Sequence, residues 1–328
     1  MLWMPSTPKR NQGAATNRMT ASFSSPDPGF EAKLATVRAL VERRLDAITP
    51  GEPAPRQLTD AMRHSLLAPA KRARAILTIL SAVHFDGAVN DALDAACALE
   101  MVHASSLILD DLPAMDDAAL RRGLPTCHRA FGEATAVLAA IALMNRGFGV
   151  VSDDASLPPD RRVQVVSILA RSIGTDGLTG GQEGDLHGIE LTGTDGVAWI
   201  HARKTGALFA AATEIGAVIA GRIDQRAAMH AFGMNLGLAF QGYDDLLDAR
   251  AASGVVGKDT GRDGDKATLV KLIGFDSALA QADAQMEAAL AQVPDLATGN
   301  GMLAAYVAGL TAVMRGPLGL PAKSQSHA

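Results

Sequence analysis

The chain has 328 residues, a formal net charge of −5 and only 4% aromatic residues. It carries no broad basic excess of the kind nucleic-acid binding draws on, and its two cysteines, Cys97 and Cys127, are too few for a disulfide framework. Alanine and leucine, the strongest helix formers, are abundant while strand signals are sparse, which argues against a sheet-based fold and for an all-α one.

Residues 1–29 are rich in Ser, Pro, Thr and Asn without helical periodicity, and are expected to be a disordered leader, with Met19 as an alternative start. Leu34, Val37, Val41, Leu45 and Ile48 then follow helical spacing, as do Leu58, Met62 and Leu66. Alanine-rich apolar stretches at 75–85, 91–109, 133–151, 162–180, 197–221, 226–248 and 275–291 predict further helices. Several are apolar nearly all round, as central helices are. The breaks at 50–56, 86–90, 152–160, 190–196 and 254–265 have the length of loops, not of domain linkers. With no repeat and no shift in composition, one large helical domain over 30–315 is expected, followed by a flexible tail at 316–328. No run is read as approaching the ~20 apolar residues of a membrane span. Two reduced core cysteines then suit a cytoplasmic protein.

Two acidic clusters interrupt these apolar helices. The stretch "DDLPAMDD" holds Asp110, Asp111, Asp116 and Asp117, with Pro113 ending the helix. In "FQGYDDLLDAR", Asp244 and Asp248 are spaced i and i+4 and share one helical face, with Asp245 about 100° around. Either cluster alone reads equally well as a solvated acidic surface. On central helices the two would converge on a cavity, where like charges require a counter-ion. Aspartate oxygens without Cys or His suit Mg²⁺, which binds through a few carboxylates plus substrate phosphates. Basic residues flank both clusters: Lys71, Arg72 and Arg74 before the first, Arg121 and Arg122 after it, and Lys204, Lys258 and Lys266 around the second. Arginine forks and lysine charges beside Mg²⁺-binding aspartates are what a diphosphate needs. No glycine loop for a nucleotide is present.

The motifs, taken together, resemble the trans-isoprenyl diphosphate synthases over roughly residues 30–300. Asp110–Asp116 has the form DDxxxxD, followed by "LRRGLPTCHRAFGE"; "GGQEGDL" (180–186) and "KTGALF" (204–209) come next; Asp244–Asp248 has the form DDxxD. Five such motifs in order are specific where each alone is weak. "EMVHASSLILDD", "VLAAIAL" and "GKDTGRDGDKATLVKL" look most like the bacterial geranylgeranyl diphosphate synthases of carotenoid clusters. The resemblance implies a homodimer whose helices surround a deep central cavity, and an enzyme that condenses isopentenyl diphosphate with allylic diphosphates.

It also implies roles. Asp110, Asp111, Asp116, Asp244 and Asp248 would bind Mg²⁺, with Asp117 and Asp245 in support. Arg121, Lys204, Thr205, Gln241 and Lys258 would contact the allylic diphosphate, with Lys266 nearby. Lys71, Arg74, His103 and Arg122 would hold isopentenyl diphosphate. One or both of Ser105 and Ser106 are expected to line the cavity about one turn below Asp110, with Met101 as a candidate floor. Small serines there leave room for a twenty-carbon product, with farnesyl diphosphate as the runner-up. Pro69, Ala70 and Ala75 depart from the family's usual glycines and proline around the isopentenyl diphosphate loop. A class I terpene cyclase is the rival enzyme, disfavoured by Lys71, Arg74 and Arg122; a non-catalytic partner subunit is the rival of another class, disfavoured by intact aspartates.

Overall fold

The computed structural model describes residues 29–49, 51, 54–254, 268–297 and 301–319. In chain order the helices are α1 (Phe30–Ile48), α2 (Arg56–Leu66), α3 (Ala73–His84), α4 (Val89–Asp110), α5 (Cys127–Phe131), α6 (Glu133–Asp153), α7 (Pro159–Ile173), α8 (Leu178–His187) and α9 (Gly193–His201). A π-helical turn, Ala202–Gly206, joins α9 to α10 (Ala207–Ile219). After it come α11 (Arg226–Gly254), α12 (Leu269–Ile273), α13 (Phe275–Gln292), α14 (Pro294–Ala297) and α15 (Met302–Arg315). The all-α expectation holds, with one small exception among the described residues. Leu120–Arg121 (β1) and Leu124–Pro125 (β2) pair antiparallel across Arg122 and Gly123, whose φ values of 55° and 79° make the two-residue turn that suits a twisted hairpin.

The centre is built from α3, α4, α10 and α11. Every residue of α10 is buried, and α10 packs on α3 and α11 while α4 packs on α3 and α6. Alanine at so many of these contacts lets the backbones approach closely without loss of helix propensity. A buried ion cluster ties the outside of this core together. Glu214 on α10 accepts from Arg171 on α7 at 2.6 Å, from Arg226 on α11 at 2.8 Å, and faces His230 Nδ1 at 3.0 Å. Burial would raise the Glu214 carboxyl, but these partners hold it below its ordinary value.

Several expected boundaries move. The stretch 162–180 is not one helix: α7 stops at Ile173 and α8 begins at Leu178, separated by a turn containing Gly174 and Gly177. The expected tail starts later than residue 316, because Gly316–Leu318 forms a 3₁₀ turn with Leu318 buried, and its carbonyl accepts from Arg250. α15 carries no sequence assignment above, yet it packs on α3 and α11. Residues 1–28 of the expected leader 1–29, and residues 255–265 of the expected loop 254–265, lie outside the described residues.

By length and composition alone, α4 and α6 are each long and apolar enough to cross a membrane, contrary to the reading that no run approaches a span. Small residues such as Ser, Cys and Gly break the apolar count without making these helices polar. α4 is largely buried inside the domain; α6 keeps Val137, Leu138 and Ile141 on an exposed face.

Candidate active site

The first acidic cluster is shaped by how α4 ends. Pro113 cannot continue the helix, and the chain folds back so that the Asp116 amide donates to the Asp110 carbonyl at 2.9 Å and the Asp117 amide to the Leu112 carbonyl at 3.0 Å. The fold-back returns Asp116 to the side of Asp110. Asp111 is buried and accepts from the Arg121 guanidinium, Nε at 3.0 Å, while Asp117 accepts from Arg129 at 3.1 Å. Burial pushes the Asp110 carboxyl up to about 6; Lys204 and Arg121 oppose the rise, and Asp116 and Asp111 add to it.

The second cluster lies on α11. Asp244 and Asp248 are exposed on one face and Asp245 is buried on another, as helical spacing requires. Burial, then Asp248 and Asp245, raise the Asp244 carboxyl, and Lys71 on the α2–α3 loop lowers it. Thr205 on the π turn donates to Gln241 Oε1 at 2.7 Å, and Gln241 Nε2 donates to Asp245 Oδ1 at 3.0 Å. The second Asp245 oxygen is buried without a hydrogen bond, with His201 Nε2 3.7 Å away. Lys204, on the same π turn, donates to Asp185 of α8 at 2.7 Å. A single π turn inserted in a helix often marks a functional site, and here it presents Lys204 and Thr205 side by side.

Beside the first cluster opens a cavity of about 280 Å³, lined by Asp110 but by no aspartate of the second cluster. Asp110, Lys204, Thr205, Arg74 and His103 line it, together with the apolar Leu107, Leu109, Met115, Met144, Ile173 and Leu178. The Arg74 guanidinium lies 5.1 Å from the Phe209 ring, and burial with nearby Arg122 lowers it to about 10, still cationic at neutral pH. His103 is held well below its ordinary value, first by burial and then by the charges of Arg74, Arg122, Arg121 and Arg72, so it is a neutral imidazole at neutral pH. Arg122 also lines a smaller pocket of about 30 Å³ together with Arg121 and Asp111.

The donor chemistry fits Mg²⁺. Both clusters offer oxygen only, and burial and neighbouring carboxylates push Asp110 and Asp244 upward despite Lys204, Arg121 and Lys71. Among the described residues no group of three such side chains is gathered around one point.

Two expectations about the wall are corrected. Ser106 lines the cavity, but Ser105 is fully buried and donates to the Ala140 carbonyl of α6 at 2.8 Å, and Met101 is fully buried away from the cavity. At about 100° per residue, Ser106 lies about 40° around α4 from Asp110, Ser105 about 140° and Met101 about 180°. Lys258 and Lys266 fall outside the described residues. Sequence reasoning assigned no role to Asp185 or Gln182, although both lie in the quoted "GGQEGDL". Met144, Ile173 and Leu178 carried no signal, because apolar residues of a cavity wall and of a core look alike.

Residues 55–298 match the family model described as polyprenyl synthetase. The chain is similar to the geranylgeranyl diphosphate synthase of Pantoea ananas, 43% identical over 71% of this chain and 78% of that protein. It is also similar to the geranylgeranyl diphosphate synthase of Pseudescherichia vulneris, 38% identical over 75% and 80%. Among solved structures, an FPP/GFPP synthase from Zymomonas mobilis superposes with a TM-score of 0.74 at 32% identity, covering 85% of this chain and 96% of that one. A geranyltranstransferase from Thermotoga maritima does so with a TM-score of 0.70 at 28% identity, covering 88% and 100%.

Proposed function

From the premise that this chain belongs to the polyprenyl synthetase family, we propose that it condenses isopentenyl diphosphate with allylic diphosphates and releases mainly geranylgeranyl diphosphate. One observation carries this reading: a single cavity whose lining combines Asp110, Lys204, Arg74 and His103 with Leu107, Leu109, Met115, Met144, Ile173, Leu178 and Leu186. Such a cavity takes a charged head and a hydrocarbon tail together.

Lys204, which lines the cavity with Asp110, and Arg121, which donates to Asp111, would hold the allylic diphosphate. Arg74, Arg122 and neutral His103 would hold isopentenyl diphosphate, whose double bond attacks the allylic carbon as its C–O bond to diphosphate breaks. A proton then leaves the new carbon chain, with the released diphosphate as the acceptor at hand. Mg²⁺, bound by Asp110, Asp111, Asp116, Asp244 and Asp248, would supply charge neutralisation for the departing diphosphate. Leu107, Leu109, Met115 and Leu178 keep water from the electron-poor carbon. A cation cluster beyond the one near Asp110 supports a second diphosphate, which a terpene cyclase does not need.

The exposed apolar face of α6, with Leu138 56% and Ile141 51% exposed, supports a homodimer packed through that helix. The two free, buried cysteines, Cys97 and Cys127, suit a reducing cytoplasm, and the resemblance of "EMVHASSLILDD" and "VLAAIAL" to carotenoid-cluster enzymes supports a supply of precursor to carotenoids. The test is incubation of the purified protein with labelled isopentenyl diphosphate, geranyl diphosphate and Mg²⁺. Label in a twenty-carbon alcohol after dephosphorylation is the expected result; no incorporation overturns the reading, and a fifteen-carbon end point leaves the condensation but moves the product to farnesyl diphosphate.

A further inference from the structure

We propose that Asp185 is a positioning residue that holds Lys204 at the diphosphate end of the cavity. The inference rests on the reading of Lys204 as a contact to the allylic diphosphate.

Lys204 has four rotatable side-chain bonds, and a lysine ammonium is a compact charge with no preferred direction. Here its Nζ donates to Asp185 Oδ2 at 2.7 Å, with the two side chains 28% and 17% exposed. The backbone is held from the same helix. Gly181 lies one turn before Asp185 on α8, and a Cβ there would sit 2.7 Å from the Lys204 amide nitrogen and 2.8 Å from Arg203 Cβ. Only a glycine lets α8 press this closely on the π turn. One helix therefore fixes both ends of Lys204: Gly181 sets where its backbone lies, and Asp185 sets where its ammonium points. That ammonium belongs to the wall of the cavity that Asp110 also lines. One of the three ammonium donors is used by Asp185, and two stay available for phosphate oxygens.

A carboxylate beside a diphosphate site would otherwise be a disadvantage, because its charge repels the substrate. The two possibilities predict opposite signs. If Asp185 acted on the substrate only by its charge, Asp185→Asn would tighten allylic binding. If it aims Lys204, the same change frees the ammonium and weakens an interaction that matters most as the diphosphate leaves.

The experiment is steady-state kinetics of the full chain with Mg²⁺ for Asp185→Asn, Asp185→Glu, Lys204→Met and the Asp185→Asn/Lys204→Met double variant. Asp185→Asn is expected to lower kcat about 10- to 100-fold, the range usual for an outer partner of a binding group. The KM for the allylic diphosphate should rise while that for isopentenyl diphosphate stays unchanged. Asp185→Glu should recover part of the loss, and the double variant should be no worse than Lys204→Met. Wild-type kcat in Asp185→Asn beside a crippled Lys204→Met overturns the inference alone, as do losses that multiply in the double variant. Wild-type turnover in both single variants overturns the assignment of Lys204 itself.

Discussion

Ser105 donates its hydroxyl to the Ala140 carbonyl at 2.8 Å, and this contact turns it toward α6 and away from the cavity that its neighbour Ser106 lines. The two adjacent serines therefore have unlike roles. Ser106→Phe places a ring in the cavity and is expected to shift product from twenty carbons toward fifteen. Ser105→Phe forces a ring against a fully buried helix contact, and is expected to cost about 1–3 kcal/mol by overpacking. Chromatography of dephosphorylated products and thermal unfolding separate the two effects. A wild-type product from Ser106→Phe would mean that length is set elsewhere in the cavity.

Asp110 sets function against stability. Its folded-state value is raised from 3.8 to about 6, so the folded protein without metal favours the protonated form, and stability is lost as pH climbs between those values. Two units correspond to about 3 kcal/mol as an upper figure. Asp110→Asn is expected to raise Tm of the metal-free protein at about pH 7.5 but not at about pH 4, and to remove most turnover. A lower Tm at the higher pH would contradict the burial argument.

The loop that carries Lys71 is anchored from behind. Arg72 takes a left-handed backbone with φ of 53°, and its guanidinium is buried 3.7 Å from the buried Glu100, which also accepts from the Ala75 amide at 3.1 Å. Glu100→Gln leaves Arg72 buried without its charge partner, a change that typically costs about 3–5 kcal/mol. Urea unfolding should show this loss, together with a higher KM for isopentenyl diphosphate, because Lys71 and Arg74 flank Arg72. Unchanged stability would mean that Glu42, 4.0 Å from Arg72, is a sufficient partner.

The exposed face of α6 is tested by charge. Ile141→Glu is expected to convert a dimer to a monomer in light scattering while the helical circular dichroism stays unchanged. A wild-type mass for the variant would place the interface on another surface.

Much of this arrangement was legible from residue order. Alanine and leucine periodicity located most helices, because helix propensity and a buried apolar stripe are local properties. The aspartate clusters and their basic neighbours were legible because charge inside apolar helices demands a partner wherever the helices end up. Asp244 and Asp245 differ in burial as their spacing on one helix implies.

Other features are decided only by contacts between distant segments. α15 was missed because its place is set by packing on α3 and α11. The break between α7 and α8 falls at "GTDG" (174–177), a turn signal that the apolar reading of 162–180 passed over, and Glu214 joins Arg171, Arg226 and His230, brought from two other helices. Ser105 and Ser106 are the same residue type one position apart, and the direction each faces depends on where α6 lies against α4. Lys204 was named from its motif, but its aim depends on Asp185 of a different helix, 19 positions earlier. Sequence alone determined most of the helical elements and the charged chemistry, since both follow from local periodicity and residue type; tertiary structure decided which side chains meet, since that depends on how helices far apart in the chain pack.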